Sequence, residues 1–251
     1  MTGAVGPEAS TSRPPVTVAR AQTPRGDLAL RRRGSASEAD EPVWELIASG
    51  VFAMDSVDTS TEVRLAELAL SRCERPARVL VGGLGLGHTA LAVLADARVG
   101  EVEVAEIEAD LVTWAHAGLV PSLAQVVADP RVTLVPADIA AVLTAPTARY
   151  DVVLLDVDNG PSFLVHPGNA SLYGPDLLTV ALGRLTLGGV LAIWAAQPEP
   201  ALFAALTELA TAQPQVGSAV EEHLLEVQRE GRRFTYAVYT SRRGPAPTAA
   251  S

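Results

Sequence analysis

The spacing of apolar residues along this chain changes period several times, and those changes lay out its elements. Val63, Leu65, Leu68, Ala69 and Leu70 follow a helical spacing behind Thr59-Ser60-Thr61-Glu62, whose hydroxyls suit a helix N-cap. From there short apolar runs alternate with helical patterns. The runs Arg78–Gly82, Val102–Ile107, Val132–Pro136, Tyr150–Val157 and Val190–Ala195 read as strands. They are nearly continuously apolar, as a parallel sheet covered on both faces requires. Helical spacing occupies 88–97, 109–118, 139–145 and 175–187. Two further runs, 218–228 and Phe234–Thr240, are parted only by Arg229-Glu230-Gly231-Arg232-Arg233. A parallel crossover needs a dozen residues or more, so this last pair forms an antiparallel hairpin.

Ahead of this body lie three short runs separated by turn residues: Asp27–Arg33, Val43–Ile47 and Val51–Met54. They predict a small β-hairpin or meander. The expected organisation is therefore a disordered tail over 1–24, a small β segment over 25–58, a Rossmann-like nucleoside-binding catalytic domain over 59–243, and a second tail over 244–251. Arg31-Arg32-Arg33 reads as a solvated strand edge. The fold class is α/β, with a mostly parallel seven-stranded sheet ending in an antiparallel hairpin.

Composition narrows the picture. Hydrophobic residues make up 48% of the 251 positions but aromatics only 4%, which favours α/β over a sandwich. The net charge of −10 and a pI near 4.9 argue against nucleic acid or an anionic membrane as partner. The same field would attract a cationic substrate such as a polyamine. Cys73, the single cysteine, excludes a disulfide within the chain and fits a reducing compartment. No apolar run approaches the roughly 18 residues of a membrane span, and the N-terminus has no signal-peptide core. These readings predict a soluble, cytoplasmic protein.

The chemistry centres on Ala77-Arg-Val-Leu-Val-Gly-Gly-Leu-Gly-Leu-Gly87. Gly82, Gly83, Gly85 and Gly87 sit between a strand and a helix, where backbone amides can meet a nucleoside ligand. Gly85-Leu-Gly87-His-Thr-Ala90 also satisfies the dinucleotide pattern G-x-G-x-x-A. Glu106 ends the next strand about twenty residues on, where a carboxylate can take both ribose hydroxyls. Asp138 follows the third strand, either accepting from an adenine amino group or capping the next helix. Asp156 and Asp158-Asn159-Gly160 follow the fourth; polar groups there need solvent or a use, although the second set also suits a turn. The pattern calls for no metal. An NAD-dependent oxidoreductase and a non-catalytic nucleoside-binding protein both stay open on these residues.

The chain resembles the spermidine synthase (polyamine aminopropyltransferase) family, within the class I S-adenosylmethionine-dependent methyltransferase fold, over roughly residues 45–197. The resemblance rests on Ser49-Gly50-Val51-Phe52, Arg78–Gly87, Val104-Ala-Glu-Ile-Glu108, Asp129-Pro-Arg-Val132, Ala137-Asp138, Arg149-Tyr-Asp-Val-Val-Leu-Leu-Asp156, Ser171-Leu-Tyr173 and Leu187-Gly-Gly-Val-Leu191. It implies a transferase that binds S-adenosylmethionine or its decarboxylated form and alkylates a small-molecule acceptor, a polyamine or other amine, by aminopropyl or methyl transfer. It implies Glu106 on the ribose, Asp138 on the adenine and Asp156 on both cofactor and reacting amine; Tyr173, the second catalytic candidate, and Asn169 are placed to cover the site, although Tyr173 equally suits plain packing. It also implies oligomers built through the N-terminal β segment, of which a homodimer is the simplest. Two positions depart from the family pattern. Leu86 stands where the family has an aspartate, and Asn159 replaces a second acidic residue, which makes the diamine site look degenerate. The family's acidic, Gln- and Tyr-bearing segment is not recognisable in Met54–Thr61. His88 reads as an ordinary early-helix residue, and Trp114 and Trp194 read as core.

Overall fold

A computed structural model describes residues 14–34, 41–147, 149–212, 219–229 and 231–244. It divides into two compact units, 1–57 and 58–251. The first is an antiparallel sheet of β1 (Val16–Thr23), β2 (Gly26–Arg33), β3 (Val43–Ala48) and β4 (Val51–Asp55), paired in that order. Leu28, Leu30 and Leu46 fill its buried face. Arg31 and Arg33 bracket the buried Glu45 carboxylate at 3.5 and 3.2 Å, so two members of the arginine run are ion-paired rather than merely solvated. The disordered tail expected over 1–24 is overturned across Val16–Thr23. Val16–Thr23 is a strand whose side chains are mostly exposed, so its order comes from backbone pairing with β2 and left no apolar alternation to read. The remainder of that tail, 1–13, and 245–251 lie outside the described residues.

The second unit opens with α1 (Ser60–Arg72), then β5 (Arg78–Gly82), α2 (His88–Leu94), β6 (Glu101–Glu106), α3 (Ala109–His116), α4 (Pro121–Ala128) and β7 (Val132–Pro136). It continues through α5 (Ile139–Thr144), β8 (Tyr150–Leu155), a short 3-10 helix (Pro167–Tyr173), α6 (Pro175–Arg184), β9 (Leu185–Ala195), α7 (Pro200–Ala212), β10 (Ala219–Arg229) and β11 (Arg232–Arg242). The sheet order is β10-β11-β9-β8-β5-β6-β7. β5 to β9 are mutually parallel, and β11 runs antiparallel to both β9 and β10. This is the seven-stranded sheet with a terminal hairpin that the apolar pattern predicts.

Alternate strand residues face opposite sides. Leu80, Val153, Leu155, Leu191 and Ile193 pack with Ile139, Leu143, Leu178, Leu182, Leu202 and Leu206 from α5, α6 and α7. Val79, Val81, Leu154 and Ala192, also fully buried, belong to the other face, where α1 packs against α2, β8, β9 and β11. Each such Leu or Val contributes about 1.5–3 kcal/mol by leaving water. Two helices went unread in the sequence. α4 begins at Pro121 and α7 at Pro200, both at first-turn positions where proline's missing N–H costs nothing. The helix expected to reach 187 stops at Arg184, because Leu185 turns extended and pairs with Tyr150. Among the described residues no single helix is long and apolar enough to cross a membrane; the apolar pair α3 and α4 is bent by 84°.

The strand order reverses between β5 and β8. The chain leaves β5 toward β6 on one side and returns to β8 on the other. In open α/β sheets such a switch point leaves a crevice at the C-terminal strand ends, where ligands bind.

Candidate active site

The glycine turn after β5 threads between the ends of β6 and β8. The Gly83 amide donates to the Ala105 carbonyl at 2.9 Å, and the Asp156 amide donates to the Gly82 carbonyl at 2.9 Å. At φ +92° a Cβ on Gly83 would stand 2.2 Å from the Asp156 carbonyl oxygen, so only glycine fits. Gly87 serves a second need. It is the left-handed cap of α2, and a Cβ there would press on Val126 and Leu123 of α4 at 3.1 and 3.3 Å.

Glu106 is the last residue of β6 and only 6% exposed. Its Oε2 accepts from the Leu84 amide and its Oε1 from the Glu108 amide, both at 2.8 Å. Burial raises its pKa, and these amides pull it back. The carboxylate thus fastens the glycine turn to the end of β6. Asp138 caps α5, its Oδ1 accepting from the Ala140 amide at 2.8 Å; the side chain is exposed. Of its two readings, capping is the one with a visible partner.

Asp156 lies one residue past β8, and Thr89 Oγ1 donates to its Oδ2 at 2.5 Å. Burial pushes its pKa up to about 7, aided by the nearby charge of Glu62 and opposed by the Thr89 bond. Glu62 itself is raised, chiefly by burial. Sequence reading missed both neighbours. Thr89 and Glu62 sit in the first turns of α2 and α1, where hydroxyls and acids are ordinary helix-start residues.

The segment after β8 is organised by Asp158, which holds a positive φ of 63°. Its carboxylate accepts from the amides of Asn159 and Val165 at 2.9 and 2.5 Å, from the His166 amide at 3.3 Å and from Asn169 Nδ2 at 2.7 Å. Asn169 is therefore tied to Asp158. Tyr173 is 7% exposed, its ring belongs to the core beneath α5, α6 and α7, and its hydroxyl donates to the Val157 carbonyl at 2.5 Å. That bond pins the residue following Asp156. Leu86 is fully buried, so its position presents no charge, and its carbonyl accepts from Ser122 Oγ at 2.6 Å. His88 is half-buried at the start of α2. Trp114 is core as expected, but Trp194 is only half-buried and stacks on Tyr236 with ring centroids 5.5 Å apart.

No family model matches the chain. A polyamine aminopropyltransferase of Corynebacterium efficiens is 32% identical over 126 residues, 48% of this chain and 22% of that protein. The match spans well under half the length of this curated relative. A spermidine synthase crystal structure in complex with the transition-state analogue AdoDATO superposes at TM-score 0.71 and 17% identity, covering 91% of this chain and 74% of that one. The Thermotoga maritima spermidine synthase superposes at TM-score 0.70 and 17% identity, covering 91% and 73%. Sheet order, terminal hairpin and glycine turn define the class I methyltransferase fold. The fold is thus similar to that of the spermidine synthases, and part of the chain is similar in sequence to a polyamine aminopropyltransferase.

Proposed function

We propose that this chain is a transferase of the aminopropyltransferase type, which binds decarboxylated S-adenosylmethionine and alkylates an amine. The observation that carries this reading is the placement of Glu106 and Asp156 on either side of the glycine turn, at the point where strand order reverses. Gly82, Gly83, Gly85 and Gly87 let the nucleoside approach the backbone; Glu106 takes the ribose hydroxyls, and Asp138 the adenine amino group. This donor set fits a nucleoside: a buried carboxylate already oriented by two amides needs little further ordering to accept from a diol. The terminal antiparallel hairpin favours this reading over the dinucleotide one, which rests on the glycine spacing alone.

When bound, the sulfonium nucleoside supplies an electrophilic carbon: the acceptor nitrogen bonds to it, the C–S bond breaks, and a neutral thioether leaves. Asp156 is the catalytic residue. As a carboxylate it accepts a hydrogen bond from the acceptor ammonium and then its proton, freeing the nitrogen lone pair. A pKa near 7 suits that exchange at neutral pH. Tyr173 acts on Asp156 as a positioning residue, through Val157. A second reading, methyl transfer from intact S-adenosylmethionine, is favoured by one observation. Leu86 puts an apolar side chain where a carboxylate would repel the carboxylate of the intact compound.

Thermal-shift titration with decarboxylated S-adenosylmethionine, S-adenosylmethionine, methylthioadenosine and NAD tests the reading. A ligand at a hundred times its Kd stabilises by about 2.7 kcal/mol. The expected order is decarboxylated S-adenosylmethionine and methylthioadenosine first, with no response to NAD. Stabilisation by NAD alone would overturn the proposal.

A further inference from the structure

Glu199 has no part in the chemistry assigned to Asp156, yet it is an ionisable residue only 4% exposed. It lies between β9 and α7 and is held at three points. Its amide donates to the Tyr239 hydroxyl at 2.6 Å, and its carbonyl accepts from the Phe203 amide at 3.1 Å in the first turn of α7. Its Oε2 accepts from the Ser162 hydroxyl at 2.7 Å and its Oε1 from the Ser162 amide at 3.3 Å. Both carboxylate oxygens are thus turned toward one residue of the segment after β8. Tyr239, fully buried in β11, donates in turn to Glu222 Oε1 of β10 at 2.8 Å. A hydrogen-bonded line therefore runs from the terminal hairpin, through Glu199, to the turn that follows Asp156.

Two further contacts dock that turn. The Ala196 amide donates to the Asn159 carbonyl at 3.1 Å. A Cβ on Gly160, whose φ is +89°, would stand 2.9 Å from the Ala195 Cβ, so the turn lies hard against the end of β9. The remainder of the segment closes on itself through Asp158, and Tyr173 fastens Val157. Hydrogen bonds to a carboxylate are roughly twice as strong as neutral ones, so Glu199 is the firmest of the contacts between the turn and β9.

We propose that Glu199 is a positioning residue for the transferase site: with Tyr239 it pins the turn after Asp156 to the ends of β9 and β11, so that this side of the site is formed before any ligand binds. The proposal rests on the transferase reading of Asp156. A segment ordered on folding does not have to be ordered by the acceptor, and that cost is absent from the binding step. Asp156 also keeps a single geometry of approach, where a misplacement of about 1 Å can lower a rate by about a hundredfold. The terminal hairpin then serves the site as well as the sheet.

The test is amide hydrogen exchange along the full chain, paired with steady-state rates using decarboxylated S-adenosylmethionine and 1,4-diaminobutane as probes. In the native chain the amides over 159–166 should be protected without ligand and gain little when methylthioadenosine is added. Glu199→Ala should speed exchange there by about tenfold or more, the loss of a charge-assisted hydrogen bond, while the β8 amides stay unchanged. Its kcat should fall by about tenfold or more, with methylthioadenosine affinity unchanged. Glu199→Gln, which keeps an acceptor for the Ser162 amide, should restore most of both. Ser162→Ala alters an exposed residue and so spares the fold; it should shift exchange and kcat in the same direction and add nothing to Glu199→Ala. Unchanged exchange over 159–166 in both alanine variants overturns the proposal, as does faster exchange with unchanged kcat. A native chain without turnover sinks the transferase reading instead, and exchange in the same variants then decides whether Glu199 holds the segment.

Discussion

Thr89 Oγ1 donates to Asp156 Oδ2, so the first turn of α2 holds the carboxylate that follows β8. This bond opposes the two influences that raise the carboxyl, its burial and the charge of Glu62, and the balance falls near pH 7.

Replacing Thr89 with Val keeps the shape and removes the donor. The Asp156 carboxylate then loses the interaction that favours its charged form, so its pKa rises. The acidic limb of the kcat/KM profile is expected to move to higher pH, and stability to fall by about 1 kcal/mol. Rate measurements across pH, paired with urea denaturation, check both effects.

Asp156→Asn separates chemistry from stability. The folded pKa near 7 exceeds the unfolded value of 3.8, so the native state holds the extra proton between those values. Stability supplied by this group is therefore present at low pH and lost as pH rises toward about 7. The Asn variant should gain on the native chain at about pH 8 and show no such gain at about pH 4. Turnover should fall by about 10²–10⁴, with methylthioadenosine binding retained.

Glu106→Gln is expected to lose the nucleoside thermal shift. It should also lower Tm in the absence of ligand, because an amide has one acceptor where the carboxylate accepts from both Leu84 and Glu108. Leaving one of those buried donors unpaired costs about 1–3 kcal/mol. Differential scanning calorimetry with and without methylthioadenosine measures the two losses together.

Gly83→Ala places a methyl group against the Asp156 carbonyl at a positive φ. Backbone strain alone costs about 1–3 kcal/mol, and the clash must also push β5 and β8 apart. A fall in denaturation midpoint and in nucleoside affinity is expected. By contrast Gly231→Ala, at a φ of +74° with open space around it, should show the strain without the loss of affinity.

Tyr173→Phe removes the donor to the Val157 carbonyl and leaves the ring in the core. A loss of about 1 kcal/mol in stability and a modest fall in kcat are expected, with the pH profile unmoved. A shifted pH limb would instead make the hydroxyl a proton-transfer partner.

Much of the second unit is legible in the chain itself. The five apolar runs from Arg78 to Ala195 mark parallel strands because buried central strands need apolar residues on both faces, and the short turn at 229–233 identifies the hairpin. Glu106 and Asp156 are visible because an acid at the end of such a run is costly without a use. β1 escaped because its side chains face solvent and only its backbone is satisfied by β2. Thr89 and Glu62 escaped for a different reason: 67 and more residues separate them from Asp156, and only the packing of α1 on β8 and of α2 on α1 and β5 brings them near it.

Sequence alone determined the element types, the glycine turn and the acids at the ends of β6 and β8, since these follow from local periodicity and from the backbone freedom of glycine. Tertiary structure alone decided which groups meet. It committed one oxygen of Glu106 to the glycine turn and the other to the start of α3, spent Asp158 on its own loop, and engaged Tyr173 with Val157. It also brought Glu62 within reach of the Asp156 charge. Hydrogen-bond partners and charge neighbours depend on distances across the sheet, and no spacing along a chain encodes those.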